Sequence, residues 1–169
     1  MIKLIIDNTD RFMNAVPKAK RKKYGQFFTN VTTALYMVSL FDFDLAKPQI
    51  SLLDAGAGTG ILSAAVVQRL MDVGYTGHIH ITCYETDCLV LPLLEENLII
   101  LKNYADVSFT IINENYITSQ SFGVNTLFRE DENIYDYVIG NPPYLKIPKE
   151  AVEAKSMPDV CHGAPNMYF

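Results

Sequence analysis

Hydrophobic residues recur at three- and four-residue steps in the first part of the chain. This spacing predicts an amphipathic helix over residues 2–16, which ends before Pro17 because proline cannot continue a helix. A second run predicts another helix, with Thr29 or Asn30 as its N-cap. We interpret the first helix as core packing, within an N-terminal helical segment of about residues 1–45. The apolar positions are Ile2, Ile5, Ile6, Phe12, Met13 and Val16, and then Val31, Ala34, Leu35 and Val38.

Short apolar runs alternate with helical patterns along the middle of the chain. This alternation predicts an α/β fold with a doubly wound, mostly parallel sheet. Helical patterns occupy residues 61–70 and the stretch from Asp87, as N-cap, to about Tyr104. Residues 118–133 show little periodicity, and we interpret them as a loop with at most one short helix. The predicted strands are residues 50–54, 78–84, 107–112 and the run that ends at Ile139.

The composition is that of a single globular domain. Of 169 residues, 49% are hydrophobic and 20% are charged, so a sizeable core can form. No apolar run approaches the roughly 20 residues of a membrane span, and Asp7 and Asp10 interrupt any signal peptide. We therefore expect a cytoplasmic protein with no membrane partner. The spacing of cysteine and histidine residues is not that of a ligand cluster, so no metal site is predicted.

The charge is unevenly distributed along the chain. The net charge is −5, yet five of the 14 basic residues fall between Lys18 and Lys23. This basic run is either a solvated linker or a loop that contacts phosphates, and the sequence leaves both interpretations open.

A glycine-rich loop joins the first predicted strand to the helix after it. Gly56, Gly58 and Gly60 allow a tight turn and a close approach to a ligand, while Asp54 offers carboxylate oxygens at the strand end. This is a typical place for a nucleotide-like cofactor. The dinucleotide fingerprint would require a third glycine where Ile61 stands, so a nicotinamide or flavin cofactor is disfavoured.

Polar residues also follow the second and third predicted strands. Glu85 ends the second strand, where an acidic residue can accept the hydroxyls of a ribose, although an ordinary loop carboxylate is the alternative. Asn115 and Tyr116 follow the third strand, where they could bond and stack on an adenine. The alternatives are that Asn115 is a turn residue and that the Tyr116 ring packs in the core.

The fourth predicted strand leads into Asn141, Pro142, Pro143 and Tyr144. The two prolines remove two backbone donors and fix the chain, so that rigid acceptors point outward beside an aromatic ring. This arrangement suits a planar amine such as a nucleobase, although a turn after a strand is the alternative. Thr29 lies at a predicted helix start, where N–H groups can contact a ligand, although capping alone would also explain it.

These motifs together resemble those of the gamma-class DNA adenine-N6 methyltransferases, including those of restriction-modification systems. The resemblance extends from Lys22 to Phe169 and covers the N-terminal part of the catalytic domain. The family usually has proline where this chain has Asn30, and aspartate where it has Asn115. The matching positions are residues 25–29, with Phe28 and Thr29, residues 54–60, Glu85, Asn115–Tyr116 and residues 141–144.

The resemblance implies S-adenosylmethionine as the cofactor and an adenine flipped out of duplex DNA as the substrate. Asn141 and the Pro142 carbonyl would accept the two N6 hydrogens, and Tyr144 would stack on the base. Phe28, Thr29, Asp54, Gly56, Gly58, Gly60, Glu85, Asn115 and Tyr116 would bind the cofactor.

The family's sheet continues beyond a fourth strand and is usually followed by a target-recognition domain. We therefore expect a partial catalytic domain, truncated after the fourth strand, that is not active alone. We also expect self-association or a partner subunit at its uncovered sheet edge. The alternative functions are methylation of a glutamine amide or an RNA base, and a non-catalytic remnant that binds cofactor or a partner.

Overall fold

A computed structural model describes residues 1–23, 28–120, 134–142 and 146–156. The strands in these ranges are β1 Gln49–Ala55, β2 His78–Tyr84, β3 Val107–Ile112 and β4 Tyr137–Ile139. The helices are α1 Ile2–Ala15, α2 Lys18–Lys23, α3 Val31–Ser39, α4 Ile61–Asp72, α5 Leu91–Leu101, α6 Tyr116–Ser119 and α7 Val152–Ser156.

The strands form a parallel sheet in the order β3-β2-β1-β4. The predicted doubly wound α/β fold is therefore confirmed. Because the strand order reverses between β1 and β4, the loops after these two strands diverge and open a crevice at the carboxyl edge of the sheet. In sheets of this type, ligands bind in that crevice.

The core lies between one face of the sheet and a layer of helices. Ile50, Leu52, Ile79 and Ile81 are fully or almost fully buried on the strands. Helix α4 is buried on nearly all sides, because α3 and α1 pack on it as well as the sheet. This explains why its sequence is apolar over most positions rather than along a single stripe. None of the described helices has the length and hydropathy to span a membrane.

Helix α5 corrects one prediction about capping. The helix begins at Leu91 with Val90 as its N-cap, and Asp87 instead accepts a hydrogen bond from the Leu89 N–H within a turn. If Asp87 were the cap, Pro92 would fall in the helix interior, where its ring would clash with an earlier carbonyl. Starting at Leu91 places Pro92 in the first turn, which tolerates proline. The helix also ends at Leu101 rather than near Tyr104.

The basic run is another correction, because it is neither a linker nor a loop. Residues Lys18–Lys23 form helix α2, directly after Pro17. The Lys20 N–H donates to the Pro17 carbonyl at 3.0 Å and closes the first turn. Lysine, arginine and alanine all favour helices, and Pro17 supplies a fixed φ at the start.

Strand β4 is only three residues long, and side chains beside it hold it in register with β1. The Asp136 carboxylate accepts hydrogen bonds from the Ser51 N–H at 2.8 Å and the Ser51 hydroxyl at 3.0 Å, and it pairs with Lys47. Lys47 and Ser51 lower the pKa of Asp136. The Tyr137 hydroxyl donates to the Asp42 carbonyl at 3.1 Å. These contacts fix where the chain leaves the sheet after β4.

Candidate active site

Asp54 marks the point at which the strand order of the sheet reverses. It pairs in register with Cys83 of β2 on one side and with Ile139 of β4 on the other. The glycine loop after β1 and the segment after β4 therefore start side by side. Most of the described candidate residues lie on loops at this edge of the sheet.

The glycine loop curls over the end of β2. The N–H groups of Gly56 and Ala57 both donate to the Tyr84 carbonyl at 2.9 Å. Gly58 has φ 54°, and a Cβ placed on it would lie 3.3 Å from the ring of Phe28. The left-handed backbone and the adjacent ring together explain why glycine is needed at this position. Phe28 thus lies against the loop, and its contact with a cofactor remains a prediction.

The Glu85 carboxylate hydrogen-bonds to the backbone of the glycine loop. It is 8% exposed, and its two oxygens accept the N–H groups of Gly58 and Asp87, both at 2.8 Å. An ionised carboxylate has about four acceptor positions, so these bonds are compatible with further contacts to hydroxyl groups. The Asn113 amide donates to the Glu85 carbonyl at 2.7 Å and so ties the loop after β3 to the loop after β2.

Asp54 is a buried carboxylate with an incomplete set of hydrogen bonds. The Ser63 hydroxyl donates to Oδ2 at 2.6 Å, whereas Oδ1 has no hydrogen-bond partner in the described part of the chain. Burial raises the pKa of Asp54 to about 6; the Ser63 hydrogen bonds offset part of this and the nearby Glu85 adds to it. A buried acceptor without a donor is costly, which makes Asp54 a candidate contact for a ligand.

A hydrogen bond joins two candidate residues that are far apart in sequence. The Asn141 Nδ2 donates to the Thr29 hydroxyl at 2.9 Å. The N-cap of α3 is Asn30, whose side chain accepts from the Thr33 N–H, so capping does not account for Thr29. Pro142 follows within the described residues, whereas Pro143 and Tyr144 lie outside them.

Gly140 has a positioning role that the sequence analysis missed. A Cβ on Gly140 would lie 3.1 Å from the Ala55 carbonyl oxygen. The backbones that lead into the glycine loop and into Asn141 therefore touch at this point. The only sequence signal was a glycine directly before the Asn-Pro-Pro run.

Asn115 and Tyr116 lie at the start of helix α6. The Asn115 Oδ1 accepts a hydrogen bond from the Ile117 N–H at 3.0 Å, and its Nδ2 donates to the Glu153 carboxylate of α7. The Tyr116 ring packs edge-on against Tyr84, with ring centroids 5.0 Å apart. Both residues thus lie at the carboxyl edge of the sheet, and their contact with an adenine remains a prediction.

The chain matches a model of the N-6 DNA methylase family over residues 4–158. It is 30% identical over 169 residues to the type II methyltransferase M.BsuBI of Bacillus subtilis, covering 97% of this chain and 33% of that protein. It is 31% identical to the type II methyltransferase M.PstI of Providencia stuartii, covering 99% of this chain and 33% of that protein. The chain therefore spans about a third of the length of these curated relatives.

A solved structure supports the fold. A crystal structure from Listeria monocytogenes, assigned to the class I S-adenosylmethionine-dependent methyltransferases, superposes with a TM-score of 0.60 at 19% identity. The match covers 84% of this chain and 39% of that one. Because the family model extends over most of the sequence, the chain belongs to the N-6 DNA methylase family.

Proposed function

We propose that this chain forms the cofactor- and base-binding part of an S-adenosylmethionine-dependent methyltransferase that acts on N6 of adenine in duplex DNA. Membership of the N-6 DNA methylase family supports the reaction class. The two type II methyltransferase relatives support a role in a restriction-modification system. Because the DNA that such a system modifies lies in the cytoplasm, we propose a cytoplasmic location.

The hydrogen bond between Asn141 and Thr29 is the observation that carries this proposal. The 2.9 Å bond brings the segment after β4 to the start of α3. Phe28, the neighbour of Thr29, lies beside Gly58 of the glycine loop. The closeness of Asn141 to Thr29 and of Phe28 to Gly58 supports a single crevice for cofactor and base, as a direct transfer between the two requires.

The residues around the glycine loop fit S-adenosylmethionine. Among the described residues, one buried oxygen of Asp54 has no donor, which suits the positively charged amino acid part of this cofactor. Glu85 keeps acceptor capacity for ribose hydroxyls, and Phe28 offers an apolar wall beside Gly58. We assign Thr29, Gly56, Gly60, Asn115 and Tyr116 to the same site.

The segment after β4 would hold the target base. The Asn141 amide nitrogen donates to Thr29, so the acceptor role falls on its oxygen, together with the Pro142 carbonyl. Two acceptors aimed at the N6 hydrogens orient the amino group and draw the nitrogen towards a tetrahedral, more nucleophilic state. Tyr144 would stack on the extruded base. The cofactor supplies the reactive methyl group of its sulfonium.

Product analysis would test this assignment. Protein expressed from the complete natural gene is incubated with labelled S-adenosylmethionine and, separately, duplex DNA, RNA and a glutamine-containing peptide. We expect label only in N6-methyladenine from the duplex. Label in RNA or in a glutamine amide would replace the DNA assignment, and no transfer to any substrate would contradict it.

We also propose that the outer edge of β4 contacts a second copy of the chain or a partner subunit. Within the described residues, β4 pairs only with β1, and Val138 is 55% exposed. Open strand edges with exposed apolar side chains favour association.

A further inference from the structure

Four buried polar side chains meet where helix α1 crosses the glycine loop and helix α5. They come from three separate segments and are at most 5% exposed. Polar groups are rarely buried to this degree unless they hydrogen-bond to one another. The four residues are Asn8, Thr9, Thr59 and Asn97.

Hydrogen bonds connect these side chains into one network. The Asn8 amide donates to the Asn97 side-chain oxygen at 3.1 Å, and the Asn97 amide donates to the Thr59 carbonyl at 2.8 Å. Arg11 donates to the Asn8 oxygen, so each amide in the chain accepts on one side and donates on the other. A second contact reaches the same loop residue, because the Thr9 hydroxyl donates to the Thr59 hydroxyl at 3.0 Å.

Thr59 is the residue through which this network acts on the glycine loop. It lies between Gly58 and Gly60, whose φ angles of 54° and 81° are left-handed. Glycine has no side chain that restricts its backbone, so these two residues alone do not hold the loop in one conformation. Side-chain bonds from α1 and α5 to both the hydroxyl and the carbonyl of Thr59 supply the restraint that the glycines lack.

We propose that Asn8, Thr9 and Asn97 are positioning residues that hold the glycine loop in its ligand-binding shape through Thr59. Helix α1 then supports the binding loop in addition to packing in the core. The identity of the ligand, S-adenosylmethionine, rests on the proposed function, whereas the hold on the loop does not.

Threonine-to-valine variants test the hydroxyl contact with little change in shape. We compare Thr9→Val, Thr59→Val and the double variant with Thr9→Ser, which keeps the donor, and with Thr110→Val, an exposed threonine on β3. Amide hydrogen exchange is followed by NMR at Gly58, Gly60 and the central strands β1 and β2. The affinity for S-adenosylmethionine is followed by chemical-shift titration of the same samples.

We expect Thr9→Val to speed exchange at Gly58 and Gly60 by about tenfold, with little change in the strands, because a local restraint is lost. Thr9→Ser and Thr110→Val should stay near wild type. Affinity for S-adenosylmethionine should fall in Thr9→Val, and the double variant should be no weaker than Thr59→Val within about twofold, since Thr9 acts through Thr59.

Two exchange results would overturn the proposal. Unchanged exchange at Gly58 and Gly60 in Thr9→Val would show that the contact does not restrain the loop. An equal acceleration at every amide would show general destabilisation instead. If wild-type protein binds no S-adenosylmethionine, the cofactor assignment fails, while the exchange measurements still decide whether these residues hold the loop.

Discussion

The Asp54 carboxylate lies in the protein core, where water cannot solvate it. Asp54 is fully buried, and among the described residues the Ser63 hydroxyl donates a hydrogen bond to it. The sequence predicted Asp54 as a ligand contact from its place at a strand end. It could not predict the raised pKa, because this depends on how completely α4 and the neighbouring strands cover the side chain.

The raised pKa of Asp54 gives the stability of the protein a pH dependence. In the folded state the Asp54 carboxyl stays protonated up to about pH 6, whereas in the unfolded chain it loses its proton near pH 3.8. The folded state therefore binds more protons between these values, and stability falls as the pH rises through this window, by about 3 kcal/mol for this group. Above pH 6 this loss is complete.

Urea unfolding of wild type and Asp54→Asn between pH 4 and pH 7 checks this expectation. The wild-type free energy of unfolding should fall more steeply, by about 2 kcal/mol between these two pH values. Asp42→Asn, at an exposed aspartate, should follow the wild-type curve. Parallel curves for wild type and Asp54→Asn would rule out a buried, proton-binding carboxylate.

Gly58→Val should remove cofactor binding while the protein stays folded. The left-handed φ of 54° is unfavourable for a β-branched residue, and a Cβ would press on Phe28 at 3.3 Å. We expect at least about tenfold weaker binding of S-adenosylmethionine in calorimetry, which is about 1.4 kcal/mol. Wild-type affinity in a variant with a native circular dichroism spectrum would refute the role of the loop.

At the scale of elements, contacts between strand ends place the two halves of the site. Strands β2 and β3 were predicted with their observed bounds, because short apolar runs rich in isoleucine and threonine favour strands. The start of α5 was predicted wrongly, because an aspartate cap was weighed above the position of Pro92. The buried bonds of Asn8 and Thr9 could not be predicted, because a helical pattern does not reveal which partner a polar residue meets.

Gly140→Ala should lower turnover more than cofactor affinity. The added Cβ would lie 3.1 Å from the Ala55 carbonyl, so the backbone before Asn141 must shift by a few tenths of an ångström. Small displacements of a positioned group reduce rates strongly, and we expect kcat to fall about tenfold. Steady-state kinetics on the natural gene product measure this. An unchanged kcat, or a loss confined to the KM for the cofactor, would contradict the predicted displacement of Asn141.

At the scale of the whole molecule, β4 forms one edge of the sheet within the described part of the chain. Strand β4 lies at an edge, and its Val138 side chain is largely exposed. The resemblance to DNA adenine methyltransferases predicts an open edge here, because the family's sheet continues beyond a fourth strand. A partner at this edge would be recognised through surfaces outside the chain, so no pattern within the sequence identifies it.

Val138→Lys should reduce self-association of the 169-residue chain. A charge on an exposed edge strand opposes pairing with another strand and leaves the core intact. Sedimentation velocity at increasing concentration should show oligomers for wild type and mainly monomers for the variant. Lys3→Ala, at an exposed position of helix α1, serves as the control. A wild type that is monomeric at all concentrations would contradict the proposed contact with a second copy of the chain.

The most direct measurement is methyl transfer to duplex DNA by the natural gene product carrying Asn141→Ala, together with its affinity for S-adenosylmethionine. Asn103→Ala, at an exposed asparagine after α5, is the matched control. The proposed function predicts that Asn141→Ala loses nearly all formation of N6-methyladenine while cofactor affinity and the control stay near wild type. Wild-type amounts of N6-methyladenine from Asn141→Ala would show that this residue is a structural turn and that the base site lies elsewhere.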